Sequence, residues 1–404
     1  MSLSSRERVL TALNHQEPDR VPIDIGGTRV SSIMAVTYAK LREYLGMEPG
    51  RIRVDGPAQI VIEMEEDLRK LFGGDAIFIA HEPVEWRQGQ LVDGTPAEIP
   101  AKFLPQKMED GSEVLLDSEG RISSKRPAQG HWFDIVFPPL SEATSISDIE
   151  AHIETIETFD TPDYHDKSYE ELAEKAKDLY ENTDYLLVGQ FAGRMFQASQ
   201  FLRGWDLFLM DLVANPKIAQ ALMEALTEAN IRRFEHWSRT VGPYVQVAVF
   251  EDDLGMQDRP LLSPDLYRKL VKPYHERLYG FAKAHFDGYL MLHTDGFVSP
   301  FIPDFIEMGI DILNPVQISA IGMETKDLKQ EYGQDISFWG AGCESQEILP
   351  FGSPQEVRQD VKRRMEDLAP GGGFVFSSVH NIQTEVPPEN IVALFEAAKE
   401  FGGY

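Results

Sequence analysis

Runs of consecutive apolar residues recur along the chain at 185–188, 245–250, 289–292, 311–314, 336–339 and 374–376, and segments of helical periodicity lie between them. A short apolar run bounded by turn residues is the pattern of a strand buried on both faces. Similar runs at 21–25 and 76–80 bring the number of predicted strands to eight. Eight strands alternating with helices over this length predict an α/β fold, a (β/α)8 TIM barrel. The competing architecture, an open doubly wound sheet, calls for a glycine-rich nucleotide loop after an early strand, and Gly26-Gly27 is too short for one. Gly371-Gly372-Gly373 follows a helical stretch and precedes a strand, so it reads as a helix stop.

Before the repeating pattern settles in, Ser4-Ser5-Arg6-Glu7-Arg8 has the cap-and-acid signature of a helix start, and this helix is expected to run to about residue 14. Two further helices are expected near 31–45 and 58–71. Residues 84–137 differ in texture: Gly89, Asp93-Gly94, Asp110-Gly111 and Glu119-Gly120 punctuate short alternating runs. That is the pattern of β-hairpins. It is expected as an insertion in one domain spanning 1–404, with the extra helices at the N-terminal end.

Composition narrows the function classes. With 404 residues, 42% hydrophobic and 26% charged, the chain can build a large core and has the balance of a soluble protein. The formal net charge of −28 argues against nucleic acid and anionic membrane surfaces as partners, because both demand cationic patches. A single cysteine, Cys343, leaves no intrachain disulfide and no cysteine-rich zinc module. The polar N-terminus lacks the apolar segment of a signal peptide, and no stretch approaches the roughly 18 apolar residues of a membrane span. A cytoplasmic location is the expectation.

In a barrel of this type the chemistry sits at the C-terminal strand ends. Those ends carry Asp24, His81, Gln190, the trio Glu251-Asp252-Asp253, His293 with Asp295, Asn314 with Gln317, Cys343 and His380, with Arg29 and Arg194 nearby. Alternate residues of an extended chain face the same way, so His293 and Asp295 are expected to address one site together. With His380 from the last strand they have the composition of a two-histidine, one-carboxylate metal site. The bland readings stand beside these: an acidic helix-capping loop for the trio, a small buried hydrophobe for Cys343, and a loop residue for His81. His15, His131, His152, His165, His236, His275 and His285 are expected in helices or loops away from the mouth.

Several segments in this order resemble the uroporphyrinogen decarboxylase superfamily, nearly over the full length. They are Arg6-Glu7-Arg8-Val9-Leu10 through Pro18-Asp19-Arg20-Val21-Pro22, Leu202-Arg203-Gly204-Trp205, Glu251-Asp252-Asp253-Leu254-Gly255, Leu262-Ser263-Pro264 to Pro273-Tyr274, His293-x-Asp295-Gly296, Phe351-Gly352-Ser353-Pro354, and Pro387-Pro388-Glu389-Asn390-Ile391. The resemblance implies a (β/α)8 barrel and one of two activities. In the zinc methyltransferases that act on corrinoid-bound methyl groups, a His-x-Cys-Gly motif and a second cysteine hold the metal. Here His293 matches the histidine, Asp295 stands for the first cysteine and His380 for the second. In the decarboxylases a histidine near the last strand resembles His380, but their Arg-Gln-Ala-Gly-Arg run is replaced by Asp24-Ile25-Gly26-Gly27-Thr28-Arg29.

The resemblance thus implies a methyltransferase-like enzyme, closer to that branch than to the true decarboxylases. His293, Asp295 and His380 would hold a divalent metal, zinc by analogy, and Asp24, Glu251 and Asp253 would be catalytic. Arg29, Gln190, Arg194, Asn314 and Gln317 would meet the small-molecule substrate. A separate corrinoid protein or a small methyl donor would supply the methyl group, with no corrinoid held by this chain's own domain. Decarboxylation of uroporphyrinogen, with Asp24 stabilising the protonated pyrrole, is one alternative; a non-catalytic barrel that binds a small molecule is another.

Overall fold

A computed structural model describes residues 3–404 except 92, 118, 129, 131 and 160–163. His131 therefore lies outside the described residues. Among the described residues the strands are β1 (Ala76–Ile79), β2 (Trp86–Gln90), β3 (Pro96–Pro100), β4 (Gln106–Lys107), β5 (Glu113–Leu116), β6 (Ile122–Arg126), β7 (Asp134–Ile135), β8 (Leu186–Ala192), β9 (Val247–Glu251), β10 (Tyr289–His293), β11 (Ile312–Asn314), β12 (Ser337–Ala341) and β13 (Phe374–Ser377). Strands β1 and β8 to β13 form one parallel sheet in sequence order, with helices in the connections.

Seven strands, not eight, make up this sheet. The segment expected as a strand at 21–25 contributes Ile23 alone, which bridges Phe376 on one side and Gly74 on the other. Asp24 N–H donates to the Phe376 carbonyl at 2.7 Å, and Asp75 N–H donates to the Ile23 carbonyl at 2.7 Å. A one-residue bridge therefore closes a (β/α)8-type barrel between its first and last strands. The seam is reinforced from below: Asp75 accepts from Arg8 at 2.7 Å, from Arg20 at 2.8 Å and from Ile23 N–H at 2.9 Å. Hence the Arg6-Glu7-Arg8 and Asp19-Arg20 segments serve closure of the barrel.

Alternation along the strands explains why both faces are apolar. Val247 and Val249 of β9 point inward, with Leu186, Val188, Met291, Ile312, Trp339 and Val375, to fill the barrel. Ala248, Phe250, Leu290 and Leu292 point outward into the larger cluster beneath the helices. The helix Ser5–Leu13, started by a Ser4–Glu7 capping box, supplies Val9 and Leu13 to the barrel's lower end. The helix expected at 58–71 begins only at Glu66. The preceding residues are extended instead, with Ile60 bridging Met34 and Val61 bridging Val54, and the helix expected from 31 runs Ala35–Tyr44.

The insertion takes the antiparallel form expected, as a β2–β3 hairpin and a four-stranded sheet in the order β4-β5-β6-β7. It turns one flank toward the barrel mouth, where Arg126 donates to the Pro57 carbonyl at 3.3 Å. No helix among the described residues is long and apolar enough to cross a membrane.

Candidate functional site

The inward phase that fills the barrel also builds the site, because the next inward position after each apolar residue is polar. Val188 leads to Gln190, Val249 to Glu251, Met291 to His293 and Ile312 to Asn314. The register sets His293 opposite Glu251 on one neighbouring strand and opposite Asn314 on the other. Gln190, Glu251 and His293 line a cavity of about 850 Å³ at the C-terminal strand ends. Its apolar wall includes Val30, Phe78, Phe191 and Ile382, and Trp132 reaches it from the insertion flank.

His293, Asp295 and His380 converge at this cavity, with one ligand atom from each lying within 4.8 Å of the others. Asp295 Oδ2 is 3.8 Å from His293 Nε2 and 3.9 Å from His380 Nε2. Ligand atoms on a tetrahedral zinc, about 2.1 Å from the metal, lie about 3.4 Å apart. Closing the set around an ion needs side-chain rotation and no change of fold. The donors are two imidazoles and a carboxylate, a set that suits zinc or iron.

Asn314 fixes the first of these ligands. Its Oδ1 lies 2.9 Å from His293 Nδ1, while its Nδ2 donates to the Trp339 carbonyl at 3.0 Å. The second bond sets the amide's orientation, so Oδ1 must accept from Nδ1–H and His293 Nε2 keeps its lone pair for a metal. This corrects the expectation that Asn314 meets substrate: it is 1% exposed and stands behind His293, not on the cavity wall.

Loop glycines hold Asp295 in place. Gly296 has φ +87°, and a Cβ there would fall 2.4 Å from the Gly255 backbone. The two glycines let the loops after β9 and β10 touch. Gly255 N–H then donates to the Asp295 carbonyl at 3.1 Å, and Asp295 N–H donates to Asp253 Oδ1 at 3.0 Å. Gly296 N–H donates to Gln317 Oε1 at 2.7 Å, so Gln317 braces the same turn from the cavity wall.

The acidic trio divides its work. Asp252 is buried, accepts from the backbone of Met195 and Phe196 at 3.0 and 2.8 Å, and meets His275 Nε2 at 2.9 Å. It therefore caps the helix Phe196–Arg203. Glu251 pairs with Arg194 and accepts from Gln190. Burial pushes its carboxyl up, but Arg194, His293, Arg29 and Gln190 together outweigh that and hold it below the ordinary range. Burial, aided by the Asp295 charge, pushes Asp253 up to about 6 against the pull of His293. Burial also pulls the His293 imidazole down, yet Asp295, Asp253 and Glu251 prevail and raise it. His380 is held low by burial and by the nearby His293 and Arg29 charges, against the pull of Asp295.

Asp24 is a second correction. It is fully buried and absent from the cavity wall, because its turn folds back on itself. Gly27 N–H donates to its Oδ1 at 2.6 Å and Trp339 Nε1–H to its Oδ2 at 2.8 Å. Burial pushes it up to about 6, but its role is to tie the closing seam to β12. Cys343 is buried as well, in keeping with a small apolar residue.

Arg29 does reach the cavity, where it is paired with the buried Asp55 at 2.5 Å. His81 and His165 also line the cavity, so His165 departs from the expectation that it lies away from the mouth. Burial, with Arg29 and His81 nearby, lowers His165 to about 4, so its imidazole is neutral at pH 7. His165 and Trp132 lie on irregular segments, where no periodicity in the sequence signals a position.

Comparison with known proteins agrees with this architecture. A methyltransferase from Methanosarcina mazei has a similar fold, with a TM-score of 0.58 at 18% identity over 99% of each chain. A uroporphyrinogen decarboxylase from Pseudoalteromonas translucida is 30% identical over 96 residues, which is 23% of this chain and 26% of that protein. One from Alkalilimnicola ehrlichii is 36% identical over 50 residues, 12% of this chain and 14% of that protein. The chain thus matches about a quarter or less of the length of these curated relatives. The family model for uroporphyrinogen decarboxylase (URO-D) matches residues 134–401, more than half of the chain, and so takes in β7 to β13 with the whole His293–Asp295–His380 set. The chain belongs to the uroporphyrinogen decarboxylase family.

Proposed function

We propose that this protein is a metal-dependent methyltransferase of that family, acting as one unit on a small acceptor. The methyl group would come from a separate methyl-corrinoid protein or a small methyl donor. The observation that carries this reading is the convergence of His293, Asp295 and His380 at the cavity, with Asn314 holding His293 Nε2 ready. A bound zinc would lower the pKa of the acceptor's nucleophilic atom and so present it as an anion. The chain's own residues do the rest. Glu251, its charge fixed by Arg194, and Asp253 supply negative potential beside the two imidazoles, which favours a dication there. Phe191, Phe78 and Ile382 line an apolar wall that limits water around the acceptor.

A decarboxylase reading draws on the short matches to uroporphyrinogen decarboxylases. Its substrate carries eight carboxylates. Among the described residues the Lys and Arg side chains lining this cavity are Arg29 and Arg194, and each is already paired with a buried acid. That pairing favours the methyl-transfer reading.

Chelator-treated protein titrated with zinc should bind about one ion per chain and gain thermal stability with rising zinc. His293→Ala and His380→Ala should each lose both responses, together with methyl transfer from methylcobalamin to a thiol acceptor. A wild-type protein that neither retains zinc nor responds to it overturns the reading. Anaerobic conversion of uroporphyrinogen to coproporphyrinogen would install the decarboxylase in its place. No turnover by the wild type in either assay, with metal content the same in both histidine variants, would leave a non-catalytic binding barrel.

A further inference from the structure

A helix beside the cavity presents an apolar face to solvent. The helix Tyr169–Asn182 shows what an ordinary surface helix of this acidic chain looks like, exposing Glu171, Glu174, Lys177, Asp178 and Glu181. The helix Trp205–Ala214 differs: its inner side buries Phe208 and Leu212, yet its outer side is apolar too. Trp205 is 43% exposed, Met210 55% and Val213 70%, and Leu209 is half-buried between them. At 3.6 residues per turn these four fall on one continuous arc, and the charge within it is Asp206. The helix's other acid, Asp211, is buried and paired with Arg203 at 2.8 Å. Single exposed apolar side chains are ordinary, but a contiguous face of them marks an interaction surface. The face also runs on into the cavity wall. The Trp205 ring lies 6.4 Å from that of Phe201, which lines the cavity, and Phe201 lies 6.2 Å from Phe159.

We propose that this face is an interface between two copies of the chain, packed helix against antiparallel helix about a two-fold axis at Leu209. Two observations select a second copy as the occupant. The first is spacing. Trp205, Leu209 and Val213 step by four residues on either side of Leu209, so the stripe is spaced alike in both directions. A two-fold axis there sets Leu209 on its own copy and the bulky Trp205 on the small Val213, which is the self-complementarity an isologous contact requires. The second is charge. With a net charge of −28, two copies repel wherever their acids face each other. This arc carries one acid, and antiparallel pairing moves the two copies of Asp206 apart. Each lies three residues from the axis, so they stand about 9 Å apart along the helix, near the screening length of physiological salt. The interface abuts both cavities through Phe201. It goes beyond the metal and methyl-transfer reading and does not depend on it.

Sedimentation equilibrium of the full chain at micromolar concentration should give twice the chain mass. Val213→Glu changes a side chain that is 70% exposed, so the fold tolerates it, but it sets an acid against Trp205 of the other copy. It should weaken dimerisation about 30-fold or more, and Trp205→Glu should do the same. Register is tested by mixing Trp205→Glu with Val213→Lys. Each variant alone is weakened at two symmetric contacts. The mixed dimer keeps one native Trp205–Val213 contact and gains a Glu–Lys pair at the other, so mixing should restore association. A wild type that stays monomeric overturns the proposal and gives the face to a different partner. A dimer left intact by both Val213→Glu and Trp205→Glu overturns it as well, as does a mixture that associates no better than either variant alone. Zinc content is measured on the same samples. A wild type that dimerises through this face but takes up no zinc would overturn the metal reading and leave this one standing.

Discussion

Two walls of one cavity are built by different means. The wall from β8 to β13 is regular: successive strands in parallel register bring Gln190, Glu251, His293 and Asn314 to the same level, each one inward step beyond a barrel-filling residue. The opposite wall is irregular. It consists of the one-residue bridge at Ile23, the turn carrying Asp24 and Arg29, the extended pieces around Asp55 and Ile60, and Trp132 from the insertion flank. On the regular wall the direction of His293 is fixed by strand geometry and by its hydrogen bond to Asn314, and the backbone of Asp295 by the close contact of the loops after β9 and β10. The irregular wall shapes the space opposite and is free to vary without moving the ligands.

Each wall has an ion pair, and removing its arginine should break the comparison most forcefully. On the regular wall, Arg194→Met leaves the buried Glu251 carboxylate without its cation. Stability to urea should fall by about 3 kcal/mol, as for other buried pairs that lose one partner. On the irregular wall, Arg29 is 37% exposed in its side chain and Asp55 also accepts from Ile60 N–H at 3.2 Å. Solvent screens that pair and the backbone keeps the carboxylate bonded, so Arg29→Met should cost only about 1 kcal/mol. Equal losses would show that the irregular wall is held as tightly as the regular one.

The same contrast decides what could be read from the sequence. Period-two alternation predicts that His293 and Asp295 share a direction, and the strand count puts His380 at the same mouth; both properties are local or additive along the chain. The alternation puts Asn314 at the right level, but only cross-strand register shows that its amide bonds to His293 and not to a substrate. For Asp24 the sequence misleads because the apolar run at 21–25 looks like any other strand, whereas Ile23 alone makes a bridge there. Its bond to Gly27 N–H depends on a turn three residues long, and its bond to Trp339 on a contact 315 residues away. His165, Asp55 and Trp132 lie on segments with no period at all.

Asp24 gives the irregular wall a pH signature that can be isolated by one substitution away from the metal-facing residues. Its folded-state pKa is about 6, against about 3.9 for an unfolded aspartate. A raised folded value means the folded protein binds the extra proton. The group's contribution is fully present below about pH 4 and is lost as pH rises through about 6. Two pKa units correspond to about 3 kcal/mol. Asp24→Asn carries no such titration, though it loses one acceptor for Trp339 or Gly27 at every pH. Relative to wild type, the variant should therefore gain about 3 kcal/mol between pH 4 and pH 7, read from urea unfolding at each pH. A difference that stays flat across that range would show that Asp24 is not desolvated as the closing seam requires.

A single hydrogen bond tests the regular wall at its most specific point. Asn314 touches neither the cavity nor any ligand atom on the metal side; it acts only by holding His293 Nδ1–H, with its own orientation set by the Trp339 carbonyl. Replacing it with leucine keeps the volume but removes the acceptor, so the imidazole is free to adopt the other tautomer and to rotate. Zinc affinity should fall by 10- to 100-fold, the usual range for loss of an outer-sphere partner, which is about 1.4–2.7 kcal/mol. Two further readings separate orientation from simple damage to the fold. Asn314→Asp restores an acceptor for Nδ1–H and should recover part of the lost affinity, whereas a merely structural defect would worsen with a buried charge. Zinc affinity is read on folded protein, because the buried Trp339 carbonyl left without its donor should cost zinc-free Asn314→Leu about 1–3 kcal/mol in urea unfolding; a loss well beyond that range would mean general damage to the fold. Unchanged zinc affinity in Asn314→Leu would mean that His293 is oriented by packing alone, and the regular wall would then owe its precision to strand geometry without the hydrogen bond behind it.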